Sequence, residues 1–420
     1  MAHAHRVHNH DSGIGLRLVE EAREHVLDRI APLQPLELPL TEAYGCVLAR
    51  DVVAEADLPA FASSAMDGFA VRSSEVEGAG PASPVELRVT GRAMIGRRPE
   101  GTVGGGEAMA IATGAPVPAG ADTVVPIESC EVQGAVVRIL APSPEGKHIR
   151  PAGEDVRSGD SLVPAGRRLQ APELGLLAAS GVSHPLVHPR PRVVVISTGD
   201  ELIPPSQTPD FGQIRDANAY TLFASLREAG AVPMLAGIVH DDEDTLRDAV
   251  LSHALQADAF VSSGGVSVGE RDVVKAAFQG RGELEFYGVA MQPGMPQGFG
   301  HIEGKPYFGL PGNPVSVFVS FEVFIRPALM KMMGRRNLFR PEITARLEQD
   351  VSGPRGKTQF ARVRVRRTRE GWTAVPTGAR GSNLIATVAR ANGLAVVPPG
   401  IETAAAGTEV RVLLFRSMED

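Results

Sequence analysis

At 420 residues the chain is long enough for about three domains, and its 43% hydrophobic and 22% charged content are those of a folded, water-soluble protein. A net charge of −7 argues against a general nucleic-acid binder, which carries a basic footprint. Cys46 and Cys130 are the only cysteines and lie far apart, so neither a disulfide framework nor a cysteine zinc site is indicated. No apolar run reaches the roughly 18 residues of a membrane span, and no apolar signal core opens the chain, so a cytoplasmic protein is expected.

His3, His5, His8 and His10 crowd the first ten residues. A polar tail is the simpler reading than a loose metal site. The run "LRLVEEAREHVLDRI" carries apolar residues at helical spacing and ends at Pro32 and Pro35, before a strand-like "LELPL". Residues 59–150 turn Gly-, Pro- and Val-rich. Short runs such as "VELRVT", "EAMAIAT", "DTVVPIE" and "AVVRIL" predict a small β domain inserted between 15–58 and 151–187, which together make a helix-containing domain. From 188 to 333 strands and helices alternate. "RVVVIST", "NAYTLFASLREAG", "VPMLAGIV", "DEDTLRDAVLSHAL" and "DAFVSS" are the first of them, and the pattern predicts crossovers around a mostly parallel sheet. The charged, Pro-terminated "GRRNLFRP" reads as a linker to a last β domain at 341–416. The expected class is thus α/β plus β, in several domains.

Ligands of parallel sheets sit outside the carboxyl ends of the strands, which directs attention to the turns there. In "VSSGGVSVGERD" (261–272) a strand stops at Gly264 and Gly265, whose bare backbone can offer consecutive N–H groups to an anion. Ser263 and Ser267 flank the turn, and Asp272 places a carboxylate beside that anion. A phosphate and an acid share a small space only with a cation between them, so a phosphorylated ligand with a divalent metal is predicted. Glu201 and Asp241 also follow strand ends, and hard oxygen ligands suit Mg²⁺. For Asp241 an equal alternative is a helix cap, because "DDEDTL" has acids where a helix begins.

"GLPGNPVS" (309–316) is a second strand-to-helix turn, in which Pro311, Asn313, Pro314 and Ser316 could hold another anion or simply start a helix. "SSAMDGFAV" offers Asp67 as a general base or as the partner of a ligand ring nitrogen, and "ATGAPVPAGADTVV" exposes Thr113. No Ser sits in a nucleophile elbow, neither Cys has a spaced His, and "GTVGGGE" lacks the dinucleotide fingerprint.

Taken together and in order, "SAMDGFA", "ATGAPVPAGADTVV", "RPAGEDV", "STGDEL", "SSGGVSVGERD" and "LPGNPVS" resemble the MoeA family, and the carboxy-terminal region of gephyrin is similar. The likeness spans about residues 15 to 415. It implies an elongated four-domain subunit and a homodimer, with the active site between the α/β domain of one chain and the β insertion of the other. It also implies the reaction: adenylylated molybdopterin and molybdate enter, molybdenum cofactor and AMP leave, and Mg²⁺ is required. A molybdopterin adenylyltransferase is the implied protein partner. By motif match Asp67, Thr113, Asp155 and Asp241 would be catalytic, and Glu201 and Asp272 would hold the metal. Ser316, Arg362 and Ser382 would line the molybdate pocket, with Pro296 nearby.

One departure stands out. Many relatives read "KPGKP" where this chain has "QPGMP", so Gln292 and Met295 replace two lysines and Gly288 a third found in some. Arg150, Lys147 or Lys275 could make up the charge. Alternatively, the chain has become a non-catalytic, gephyrin-like dimeric scaffold that binds a partner peptide. An adenylyltransferase acting one step earlier would explain only the central segment.

Overall fold

A computed structural model describes residues 15–265, 273–278 and 282–416. The histidine-rich start, Ser267 and Asp272 lie outside the described residues, as does the side chain of Lys275. The chain divides into two compact units: residues 38–44 with 50–185, and the described parts of 1–37, 45–49 and 186–420. Among the described residues no helix is long and apolar enough to cross a membrane.

The first unit is built on a six-stranded sheet, in the order Thr123–Pro126, Gly68–Val71, Glu107–Ile111, Val85–Ala93, Val136–Ile139, Cys130–Gln133. Successive side chains of a strand point to opposite faces, and here both faces are covered. Phe69 and Val71 join a core with Leu87, Val125, Val137 and Ile139, whereas Ala70 joins Met109 and Val124 on the other side. Two short antiparallel ribbons complete the region: Val52–Val53 with Ser161–Val163, and Ser63–Ser64 with Ile149–Arg150.

The second unit contains the α/β segment. Four strands, Val232–Val239, Arg192–Thr198, Ala259–Ser263 and Lys305–Leu310, pair in parallel in that order. Pro296–Ile302 and Gly282–Gly288 extend the sheet by antiparallel pairing. The strand Arg192–Thr198 is apolar on both faces because both are packed. Val193 and Val195 meet Leu222 and Leu226 of the helix Asn218–Ala229, while Val194 and Ile196 meet Leu246 and Val250 of the helix Glu243–His253. Register places Ser197 beside Ser263 and Ser263 beside Leu310, so the strands end along one edge.

The helix Val19–Asp28 packs in this second unit, where Val19 and Ala22 share a core with Val289, Val315 and Val319. The helical rod from Pro314 to Met332 widens to i→i+5 bonding over Phe321–Ile325, just before Pro327, whose ring nitrogen has no hydrogen to donate. The "linker" is also tied down. Arg340 makes a two-pronged ion pair with the buried Glu322, at 2.8 and 2.9 Å, and Arg326 bonds the Leu338 carbonyl. Composition alone could not reveal a partner eighteen residues back.

Strands Thr358–Thr368, Gly371–Pro376, Glu342–Leu347, Glu409–Leu414 and Gly393–Val397 pair in that order, and the last returns to the first, closing a small barrel. Val363, Val365, Ala374, Ala395 and Val412 fill it. Phe360, Leu394 and Val396 face outward onto Val315, Phe318 and Val319, so barrel and α/β segment share a core.

Candidate functional site

Two turns meet at the carboxyl edge of the parallel sheet. The Gly264 amide donates to the Leu310 carbonyl at 3.0 Å, and a Cβ added to Gly312 would lie 4.0 Å from the Gly264 Cα. Gly264 has φ of 96° and Gly265 of 68°, and a Cβ on Gly264 would run into the Thr198 carbonyl and stand 2.7 Å from Thr198 Oγ1. No other residue type fits there without displacing the neighbouring strand end. The Asn218 amide nitrogen holds the Gly312 carbonyl at 2.8 Å. Around these turns the buried hydroxyls of Ser197, Ser262 and Ser263, and Oδ1 of Asn218, have no hydrogen-bond partner among the described residues. The Gly264 N–H is spent on the Leu310 carbonyl and is not free for an anion as the sequence suggested, but the unmet hydroxyls beside the glycine turn make a receptive place for a polar ligand.

The acids follow the neighbouring strands. Asp200 and Glu201 come after Thr198, and Asp241 after the strand Val232–Val239. The Glu201 carboxylate folds back over Gly199, whose added Cβ would lie 2.7 Å from Glu201 Oε2. Asp200, not singled out in the sequence, bonds His240 Nδ1 at 3.0 Å, and that bond holds its pKa below the usual carboxylate value. The pKa of Asp241 moves the other way, raised first by burial and then by the negative charges of Asp200 and Glu201. Asp242, rather than Asp241, caps the next helix, accepting the Thr245 N–H at 2.8 Å. Asp241 is therefore released from the capping role and stands among carboxylates. No group of three potential ligand side chains is assembled for a metal among the described residues. The donor set present, two or three carboxylates beside a phosphate-type turn, is nonetheless of the kind Mg²⁺ prefers, since that ion keeps waters and substrate oxygens in its shell.

A second cluster lies where the α/β segment meets the barrel. Arg362 is only 4% exposed, and its guanidinium donates to Thr387 Oγ1 at 3.1 Å and to the Ala379 carbonyl at 2.7 Å. Burial lowers its pKa, and among the described residues no carboxylate pairs with it. A buried cation without a counter-charge is suited to an incoming anion. The Ser382 carbonyl accepts the Val315 amide at 3.0 Å, which brings the loop behind Arg362 to the start of the helix bearing Ser316. Asn313 precedes that helix with extended backbone, and Pro314 occupies its first turn. Pro311 is buried before it. Pro296 opens its strand beside Gln297, whose amide donates to Ser320 Oγ, one turn beyond Ser316, at 2.6 Å. Lys357 Nζ lies 3.3 Å from the Met295 sulfur. Lys357 was not singled out in the sequence; Arg150 and Lys147 are exposed residues of the first unit.

In the first unit Asp67 accepts the Thr113 N–H at 2.7 Å and its hydroxyl at 3.0 Å, both on Oδ1. These bonds, the backbone one first, lower the Asp67 pKa. Asp155 lies on a different exposed turn, its N–H bonded to the Leu58 carbonyl at 3.1 Å.

Three family models match in order. They are the MoeA N-terminal region (domain I and II) over residues 17–181, the probable molybdopterin binding domain over 194–331, and the MoeA C-terminal region (domain IV) over 344–415. Molybdopterin molybdenumtransferase 2 of Mycobacterium tuberculosis is 42% identical over 403 residues, covering 94% of this chain and 99% of that protein. Molybdopterin molybdenumtransferase 1 of the same organism is 36% identical over 419 residues, covering 94% and 98%. Among solved structures, a molybdopterin biosynthesis MoeA protein from Pyrococcus horikoshii superposes with a TM-score of 0.81 at 33% identity, covering 96% of this chain and 100% of that one.

Proposed function

Because the chain belongs to the MoeA family, we propose that it is a molybdopterin molybdenumtransferase that inserts molybdate into adenylylated molybdopterin and releases AMP. The observation that carries this reading is the meeting of the Gly264–Gly265 and Gly312 turns beside Glu201 and Asp241. The Gly265 and Gly312 amides would receive the phosphate of the adenylate, since the Gly264 amide already bonds the Leu310 carbonyl, and Asn218 keeps the second turn in place. Glu201, Asp241 and Asp272 would hold Mg²⁺, which when bound supplies positive charge against the phosphate oxygens. Molybdate, a tetrahedral oxyanion, suits the buried Arg362 fork with the Ser316 and Ser382 hydroxyls. Asp67, kept ionised by Thr113, is better fitted to accept a ring N–H than to act as a general base near neutral pH. We place the enzyme in the cytoplasm as a homodimer, with a molybdopterin adenylyltransferase as the supplier of its substrate.

The test is turnover. Purified protein given adenylylated molybdopterin, molybdate and Mg²⁺ is expected to release AMP only when molybdate is present. Asp272→Asn and Asp241→Asn should each slow that release by about 10²-fold or more, the scale of losing a charged group from a phosphate-cleaving site. Absence of molybdate-dependent AMP release would put the scaffold reading in its place.

A further inference from the structure

A cleft of about 470 Å³ opens at the rim of the barrel, walled by Arg364, Arg366, Arg367, Arg390, Arg416 and Trp372. Among the described residues none of these five arginines forms an ion pair, in a chain whose net charge is −7. Other arginines of the same barrel do: Arg346 pairs with Glu370, Arg355 with Glu402 and Arg411 with Glu342. The five arginines are solvent-exposed, so their mutual repulsion is screened, but together they give the hollow a positive potential that favours an anion.

The walls are also held in place. Arg367 and Trp372 are directly opposite across two antiparallel strands, with the guanidinium 5.5 Å from the indole centroid. Arg416 is anchored to the Ala389 carbonyl at 3.0 Å. The Asn392 side chain bonds both the amide and the carbonyl of Val365, at 2.7 and 3.1 Å, where the neighbouring strand has ended. That amide blocks an added peptide strand at this edge, which disfavours an extended peptide as the occupant. The volume suits one small molecule, the forks suit phosphate oxygens, and the partly exposed indole offers a flat face.

We propose that this cleft binds a planar heterocycle carrying two or more phosphate groups, at a site separate from the turns and from Arg362. It stands independently of the transferase reading. Trp372 is the only tryptophan in the chain, so its fluorescence reports on the cleft directly. Titration with inorganic pyrophosphate and with ATP, at constant ionic strength, should give saturable changes, with ATP the tighter by about tenfold through stacking on the indole. Arg366→Ala combined with Arg390→Ala should weaken both by about tenfold or more, while molybdate-dependent AMP release keeps its native rate.

The acids Glu419 and Asp420 follow Arg416 by a few residues in sequence, so the titration is repeated with Glu419→Gln/Asp420→Asn. Saturable binding in either form supports the site. Its absence from both overturns it, as does equal competition by sulfate or unchanged affinity in the arginine double variant. Equal affinity for pyrophosphate and ATP overturns the ring-binding role of Trp372.

Discussion

Asp241 is held at a raised pKa by partial burial and by the charges of Asp200 and Glu201, and this has a measurable thermodynamic sign. A carboxyl whose folded pKa exceeds its unfolded value favours folding when protonated. That contribution is present below the unfolded pKa and is lost as pH rises through the folded one. At neutral pH the ionised Asp241 is therefore a burden on the metal-free fold. Asp241→Asn should raise the metal-free Tm near neutral pH by about 1–3 °C, small because solvent screens this site, and the gain should vanish toward pH 4. Mg²⁺ should reverse the order, stabilising the native chain more than the variant; calorimetry with and without the ion reads both signs. At Gly264 the obstacle is steric. With φ of 96° and the Thr198 carbonyl in the way of any Cβ, Gly264→Ala should cost about 1–3 kcal/mol of stability and abolish adenylate binding, measured by denaturation and by calorimetric titration.

At the scale of elements, the strand Thr358–Thr368 sets side chains of even number toward the helix Pro314–Ser320, which is why Phe360 packs on it and Arg362 arrives near its start. Arg362→Lys keeps the charge but loses the fork, and should raise KM for molybdate by about tenfold or more with KM for the adenylylated pterin unchanged. Lys357 stands just before this strand, against Met295. If its amine supplies the charge absent at Met295, Lys357→Ala should raise the molybdate KM several-fold, about 1 kcal/mol, and Met295→Lys should restore it. The strand ends were legible in the sequence because a glycine or an acid follows each apolar run: "STGDE", "VHDD" and "SSGG" stand at the sheet edge. The role of Asp242 was not legible, since two adjacent acids satisfy the same capping pattern and only geometry selects one. Nor were Lys357 or the Arg340–Glu322 pair, which depend on pairings across long separations. The antiparallel extension of the sheet by Pro296–Ile302 and Gly282–Gly288 also depends on such pairing, which alternation of strand and helix does not encode.

For the whole molecule, the distribution of acids over the two compact units gives the last test. Asp67, Thr113 and Asp155 belong to one unit, and Glu201, Asp241 and the glycine turns to the other. If the homodimer forms its active sites between chains, as the resemblance implies, each site would take Asp67 from one chain and Asp241 from its partner. A closed two-fold assembly has two such sites, so chains carrying Asp67→Asn and chains carrying Asp241→Asn would be inactive alone but complementary when mixed. Random pairing makes about half the dimers mixed, and each mixed dimer has one site with both native acids and one with neither. Co-expressed variants should thus recover about a quarter of native AMP release. A site built within a single chain would give no recovery, because every site would then lack one acid whatever its partner. Sedimentation of the same mixture checks that dimers form, which separates failure to assemble from failure to complement.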